Sequence, residues 1–200
     1  MKISEIDFVS QRITSSGKKR DKYADISCGV ACLMMLLKHA KIIKPPSFNQ
    51  LCNDLNVRID AHTKNVNKKV LELYCGDEKC YGVFQEDIEA YLIKHNISFK
   101  PTKYSKPSKT ISIDKLVSII EKKVPIMVKV GKPLDKKGEG HWIVLYGHEK
   151  DTLLYLDPWN KKKYCHKICK NEFCQSWDGI TTVPTFNDVS LVTYSITVSY

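Results

Sequence analysis

Apolar positions along this chain follow helical spacing first and strand spacing later. From Val30 to Leu37 they fill a helix: Ala31, Leu33, Met34 and Leu37 mark one face, and Val30, Met35 and Leu36 cover most of the rest. A helix that is apolar on nearly all sides belongs inside a core. It is predicted to start at Cys28-Gly29, where Ser27 or Asp25 can cap the first turn. It should stop between Ala40 and Lys44, since Pro45-Pro46 cannot continue it. Before it, residues 3–9 alternate well enough for a short strand (Ile6, Phe8) running into Ser10-Gln11, and residues 14–22 read as a polar loop. After it, Ser47 is predicted to cap a short helix over 48–56, with Gln50 three residues on as in a capping box. Residues 57–65 are irregular, Val66–Leu73 a short helix and Gly76–Lys79 a turn. Phe84–His95 is amphipathic, with Phe84, Ile88, Tyr91 and Leu92 on one side and Asn96 as its stop. A short strand over 97–101, a loop over Tyr104–Lys109 and a helix over Ile113–Lys122 follow.

The period then changes to two. Val124–Val130 and His141–Tyr146 read as strands on either side of a charged loop at Gly131–Gly140. A turn at 147–151 leads to a third strand, Thr152–Leu156, so an antiparallel hairpin is the natural pairing. Asn171–Trp177 is a predicted helix and Val189–Val198 a long alternating strand. Helices first and sheet second is the order of an α+β fold. Two hundred residues suit a single domain, 1–200, mainly helical over 1–123 and mainly β over 124–200.

Charge adds one question to this picture. The net charge is +10, from 32 Lys+Arg against 22 Asp+Glu, with clusters at Lys18-Lys19-Arg20, Lys136-Lys137 and Lys161-Lys162-Lys163. Without a recognition helix, an aromatic RNA-binding signature or zinc-finger spacing, this charge reads as a solvated lysine-rich face and not as a nucleic-acid site. The first residues lack the apolar core of a signal peptide, and no apolar run is long enough to cross a bilayer. A cytoplasmic protein that does not insert into membranes is the expectation.

Eight cysteines raise a second question. In a chain without a secretory signal, free thiols are expected and disulfides are not. Cys75 with Cys80, and Cys165, Cys169 and Cys174 beside His166, offer zinc-type ligands, but their spacings are looser than paired CxxC. No metal and no cofactor is expected.

Cys28 stands apart from the other seven. At a helix N-terminus, unpaired backbone N–H groups and the helix dipole favour thiolate over thiol, as a cysteine nucleophile requires. Cys32, one turn on, reads as a small buried apolar residue. A nucleophile needs a base, and the base needs a group to orient it. His141 opens one strand and Asp157 closes the next, so hairpin pairing makes them neighbours. Gln11 can offer an amide N–H to an oxyanion beside the backbone N–H of Cys28. Trp142 and Trp159 flank the proposed site and are candidates to line it for substrate.

These residues carry a resemblance. Ser10-Gln11, Ser27-Cys28-Gly29-Val30-Ala31-Cys32, Gly140-His141-Trp142-Ile143-Val144-Leu145-Tyr146-Gly147 and Leu156-Asp157-Pro158-Trp159 resemble the double-glycine leader peptidases of bacteriocin exporters. They resemble still more the stand-alone relatives of that group in the papain-like cysteine peptidase superfamily. The resemblance implies a papain-like fold, with the nucleophile helix packed on a C-terminal antiparallel sheet. It also implies a bacterial thiol hydrolase acting on a peptide or protein, with Cys28 as nucleophile, His141 as base, Asp157 as orienting acid and Gln11 in the oxyanion hole. One departure stands out: in the exporter peptidases the Gln lies a few residues before the Cys, whereas Gln11 lies 17 positions upstream (28 − 11) across a basic loop. An acyltransferase using the same triad on a thioester donor, and a catalytically inactive peptide-binding module, are the alternative readings.

Overall fold

Helix α1, Cys28–His39, is the centre of the molecule: every residue from Gly29 to Leu37 is buried. The computed structural model describes residues 1–3, 6–20, 23–40, 45–57, 82–97, 99–103, 109–131, 134 and 140–184. After α1 come α2 (Phe48–Asp54), α3 (Gln85–Lys94), β1 (Phe99–Lys103), α4 (Lys109–Glu121) and β2 (Ile126–Val130). Then follow β3 (His141–Glu149), β4 (Thr152–Leu156), β5 (His166–Cys169), α5 (Lys170–Ser176) and β6 (Trp177–Pro184). Among the described residues the strands form one antiparallel sheet in the order β1-β6-β2-β3-β4-β5. β1, from the mainly helical half, pairs with β6, so the sheet joins both halves of the chain.

The two-residue period of the strands divides the core in two. Trp142, Val144 and Tyr146 of β3, Leu154 and Leu156 of β4 and Met127 of β2 pack with α1, α2 and α3. Ile143 and Leu145, Leu153 and Tyr155, and Ile126, Val128 and Val130 pack with α4 and α5 on the other face. This explains why β2 and β3 read as nearly unbroken apolar runs: both faces are covered. Each fully buried Leu or Met of α1 contributes about 1.5–3 kcal/mol relative to an exposed one, which makes this helix the main anchor of the first layer.

Several expectations are corrected. Over residues 3–9 the backbone of the described residues forms no strand. Ile3, Ile6 and Val9 are buried three residues apart, so the segment packs irregularly, tied by the Ile3 N–H to Tyr146 O at 2.8 Å. Ser27 occupies the N-cap position of α1 but accepts no bond from the helix; its hydroxyl donates to Tyr23 O at 2.6 Å. Asp25 lies instead near Arg12, 3.8 Å away. Ser47 does cap α2, accepting from the Gln50 N–H at 3.2 Å, yet the Gln50 side chain turns to Asp54 and leaves the box open. The β3–β4 turn is tighter than 147–151: β3 continues to Glu149, which pairs with Thr152, and Lys150 turns at φ 50°. β5 and β6 were not expected. α4 begins at Lys109, the last residue of the loop expected over Tyr104–Lys109 and four residues before the helix expected from Ile113. The rest of that loop, the predicted helix at Val66–Leu73, the turn at Gly76–Lys79 and the strand at Val189–Val198 lie outside the described residues.

Candidate active site

The site forms where the N-terminus of α1 meets the start of β3 and the end of β4. Val144 pairs with Leu156, so Asp157 lies one step past that pair, and a bulge between Leu145 and Gly147 resets the register from the tight turn. His141 and Asp157 are therefore diagonal neighbours and not directly opposed, and the His141 ring closes the gap: Nε2 lies 2.8 Å from Asp157 Oδ1. With Nε2 held by Asp157, Nδ1 is the ring nitrogen left for Cys28, whose side chain hydrogen-bonds His141. Gly140, at φ 89°, turns the chain into β3 in a conformation that a side chain would strain. Asp157 is itself fixed, because Oδ1 also accepts the Trp159 N–H at 2.8 Å and its carbonyl accepts the Asn160 N–H at 3.1 Å.

The electrostatics follow from these contacts. Burial pushes the Cys28 thiol up, but the hydrogen bond and charge of His141 with the backbone N–H groups of Trp142 and Gly29 outweigh it. The net shift is downward. Burial lowers His141; its bonds to Asp157 and Cys28 win and lift it from 6.5 to about 10. Burial raises Asp157, and the hydrogen bond and charge of His141 hold it below 3.8. All three shifts favour thiolate, imidazolium and carboxylate at neutral pH.

Two packing contacts hold α1 in place. A Cβ on Gly29 would lie 2.3 Å from Val83 Cγ1 and 3.0 Å from Trp142 Cδ1, so only glycine lets the helix approach this closely. Trp142 is 3% exposed, and its indole N–H reaches Val83 O at 3.4 Å. It thus forms a floor beneath the helix start, whereas half-buried Trp159 stands at the rim. Val83 carries no sequence signal of this role; Gly29, directly after Cys28, was the available hint.

Gln11 is 1% exposed. Its backbone N–H donates to Pro158 O at 2.9 Å and its side-chain Nε2 to Ala24 O at 3.0 Å, so it spans the Asp157 turn and the loop leading into Cys28. Its Oε1 is buried without a partner among the described residues. The 17-position separation is absorbed by a closed excursion. Ile13 bridges Lys19, Arg20 N–H donates to Arg12 O at 2.8 Å, and Arg20 Nε donates to Ser10 O at 3.0 Å. The basic loop therefore leaves and returns at one point.

Of the other cysteines, Cys32 and Cys52 are buried, Cys165 and Cys174 half-buried and Cys169 exposed, all as free thiols. Cys75 and Cys80 lie outside the described residues. Among the described residues no group of three or more His, Cys, Asp and Glu side chains is disposed to hold a metal ion, and no helix is long and apolar enough to cross a membrane.

The family model described as "Peptidase_C39 like family" matches residues 3–185. The chain belongs to the C39-like peptidase family. The solved structures agree on its fold. One, described as a C39-like peptidase from Bacillus anthracis, has a TM-score of 0.59 at 17% identity and covers 91% of this chain and 96% of its own. The peptidase domain of Streptococcus ComA, a bifunctional ABC transporter involved in a quorum-sensing pathway, has a TM-score of 0.52 at 20% identity over 78% and 88%. A double-glycine-motif protease from an AMS/PCAT transporter, in complex with its leader peptide, has a TM-score of 0.54 at 18% identity over 92% and 94%. A search of curated proteins returned no significant match. The C39-like chain thus has the α+β, papain-like fold, and its family is that of cysteine peptidases.

Proposed function

We propose that this C39-like protein is a thiol hydrolase that cleaves a peptide or isopeptide bond through an acyl-enzyme on Cys28. The observation that carries the reading is the 2.8 Å bond between His141 and Asp157 beside the N-terminus of α1, where His141 also draws the Cys28 thiol down. The thiolate attacks the carbonyl carbon, and the electron pair of the C=O bond moves onto oxygen. The resulting oxyanion is met by the Cys28 backbone N–H and the second N–H of the Gln11 amide. Collapse breaks the C–N bond as the His141 imidazolium gives its proton to the leaving amine. Neutral His141 then takes a proton from water, whose oxygen attacks the thioester and releases the acid and the thiolate. Asp157 stays ionised, fixing the ring and favouring the imidazolium. A peptide as substrate class is supported by the structurally similar protease described in complex with a leader peptide.

The test is alkylation by limiting iodoacetamide across pH, followed peptide by peptide by mass spectrometry in wild type and His141→Ala, with the other seven cysteines as controls. Cys28 is expected to react first and to stay reactive below pH 8.5, an ordinary thiol pKa being about 8.5. It should lose that advantage without His141. Equal reactivity of Cys28 and Cys165 would remove the proposal. With peptide substrates, hydrolysis that survives Cys28→Ala would do the same, and a product that forms only with an added amine acceptor would move the assignment to acyl transfer.

A further inference from the structure

Around the site, positive charge is concentrated on one rim. The segments 6–11 and 158–163 run side by side in opposite directions: the Gln11 N–H donates to Pro158 O at 2.9 Å, and Lys163 Nζ to Ile6 O at 2.6 Å. This places the basic excursion after Gln11 and the basic run after Asn160 on either side of Trp159. The Arg12 guanidinium stacks on the Trp159 ring, 4.7 Å from its centroid, and Trp159 donates its N–H to Asp157. A single residue, Trp159, thus lies between Arg12 and the His141–Asp157 pair. Lys18, Lys19, Lys161 and Lys162 are exposed on these two segments. Within the described residues 6–25 and 157–164, the basic side chains are Arg12, Lys18, Lys19, Arg20, Lys161, Lys162 and Lys163. The acidic ones are Asp7, Asp25 and Asp157, and Asp157 is already engaged by His141. Among the described residues Asp25 meets only Arg12 Nε, loosely, at 3.8 Å, and is itself largely exposed. Among the described residues the Arg12 Nη groups have no protein acceptor, and the Trp159 ring holds the planar fork in place, as bidentate recognition of a carboxylate requires.

We infer that this rim is a substrate subsite for an acidic peptide segment, with Arg12 on Trp159 binding a side-chain carboxylate and Lys18, Lys19, Lys161 and Lys162 attracting the residues around it. The inference rests on the peptidase reading and names the substrate class of the same site. A peptide is favoured over a nucleic acid because Arg12 is joined through Trp159 to Asp157 of the proposed peptidase site.

The test is protection of Cys28 from iodoacetamide in the wild-type protein by three synthetic peptides of equal length carrying four Glu, no charged residues or four Lys. Protection is read at low and at raised salt. The acidic peptide is expected to protect at a concentration about tenfold lower than the neutral one, with the advantage shrinking as salt screens it. Arg12→Gln combined with Lys161→Gln and Lys162→Gln should abolish that preference. Arg12→Lys alone should retain part of it. Equal protection by all three peptides overturns the subsite, as does binding of the acidic peptide, followed by fluorescence anisotropy, that leaves Cys28 unprotected. So does equal protection by a single-stranded oligonucleotide of matched charge, which would mark the rim as a general polyanion surface. A Cys28 that alkylates no faster than Cys165 without peptide is a different failure, and it removes the hydrolase reading instead.

Discussion

Cys28 and Cys32 sit one turn apart on the same helix, and burial pushes both thiols up. For Cys32 nothing opposes it, and the nearby Cys28 and Asp157 push further in the same direction, so the thiol stays protonated well above 9.0. For Cys28 the ring of His141 and two backbone N–H groups reverse the outcome. Desolvation is common to both positions; the contacts at the open end of the helix separate them. A helix N-terminus alone would not create the difference, because its dipole acts mainly over the first turn and is worth about 0.3–1 kcal/mol at exposed sites. The partner brought in by β3 decides it.

The largest test of this comparison removes that partner. In His141→Ala, Cys28 should titrate like a buried thiol, moving up toward Cys32, and kcat/KM should fall by about 10²- to 10⁴-fold, the range for a positioned acid–base group. Alkylation profiles measured in the same sample report both thiols. If Cys28 keeps its low-pH reactivity, the backbone N–H groups suffice and the comparison has been assigned to the wrong contacts.

Asp157→Asn should act more gently. The amide keeps a hydrogen-bonding atom near Nε2 but loses the charge that helps hold His141 at about 10. The alkaline limb of the activity profile, set by loss of the imidazolium proton, should therefore move to lower pH, with kcat/KM reduced by about a hundredfold. Stability should follow the same groups. His141 is raised when folded, so its contribution is full below its unfolded value near 6.5 and is lost as pH rises toward 10. Asp157 is lowered, so its contribution is full above 3.8 and is lost as pH falls through its folded value. Between 3.8 and 6.5 both are full, and the losses of Tm outside that window, on the acid side from Asp157 and on the alkaline side from His141, should shrink in the Asn variant. An unchanged profile would mean that the pair adds nothing to folding.

What could be read from the residues depended on whether the decisive contact was local. α1, α3 and the β3–β4 hairpin were legible because their apolar periods run for whole elements, and α4 only from Ile113 onward; pairing in the hairpin brings His141 and Asp157 within reach. β5 was not, since HKIC is four residues with a single buried position, Ile168. Nor was β6, whose WDGITTVP carries a Gly and a Pro and is specified by pairing with β1 and β2. The strand expected at 3–9 failed because the burial of Ile3, Ile6 and Val9 has a spacing of three. Gln11 was legible as a residue type but not as a position: the bonds closing residues 12–20 on themselves are what return the chain to Ala24.

A smaller perturbation shifts the helix end without replacing a reacting side chain. Gly29→Ala would place a methyl 2.3 Å from Val83 Cγ1, with Trp142 behind it, so α1 must move or Val83 must yield. Overpacking of this kind costs about 1–3 kcal/mol. Because Gly29 also supplies a backbone N–H to Cys28, the alkylation rate should drop along with Tm. A variant that loses stability but keeps Cys28 fully reactive would show that the His141 contact tolerates movement of the helix.

The smallest expected effect completes the comparison from the Cys32 side. Cys32 is fully buried in the first core layer, and it holds its proton throughout the working pH range. Cys32→Ala removes one sulfur from a packed interior and should lower stability by about 1 kcal/mol, the size of a small cavity. It removes no charge, so the pH profile of Cys28 alkylation should be superimposable on wild type. A shifted profile would mean that the two thiols share a proton equilibrium across the helix turn. The low pKa of Cys28 would then belong to the pair, and His141 would no longer account for it alone.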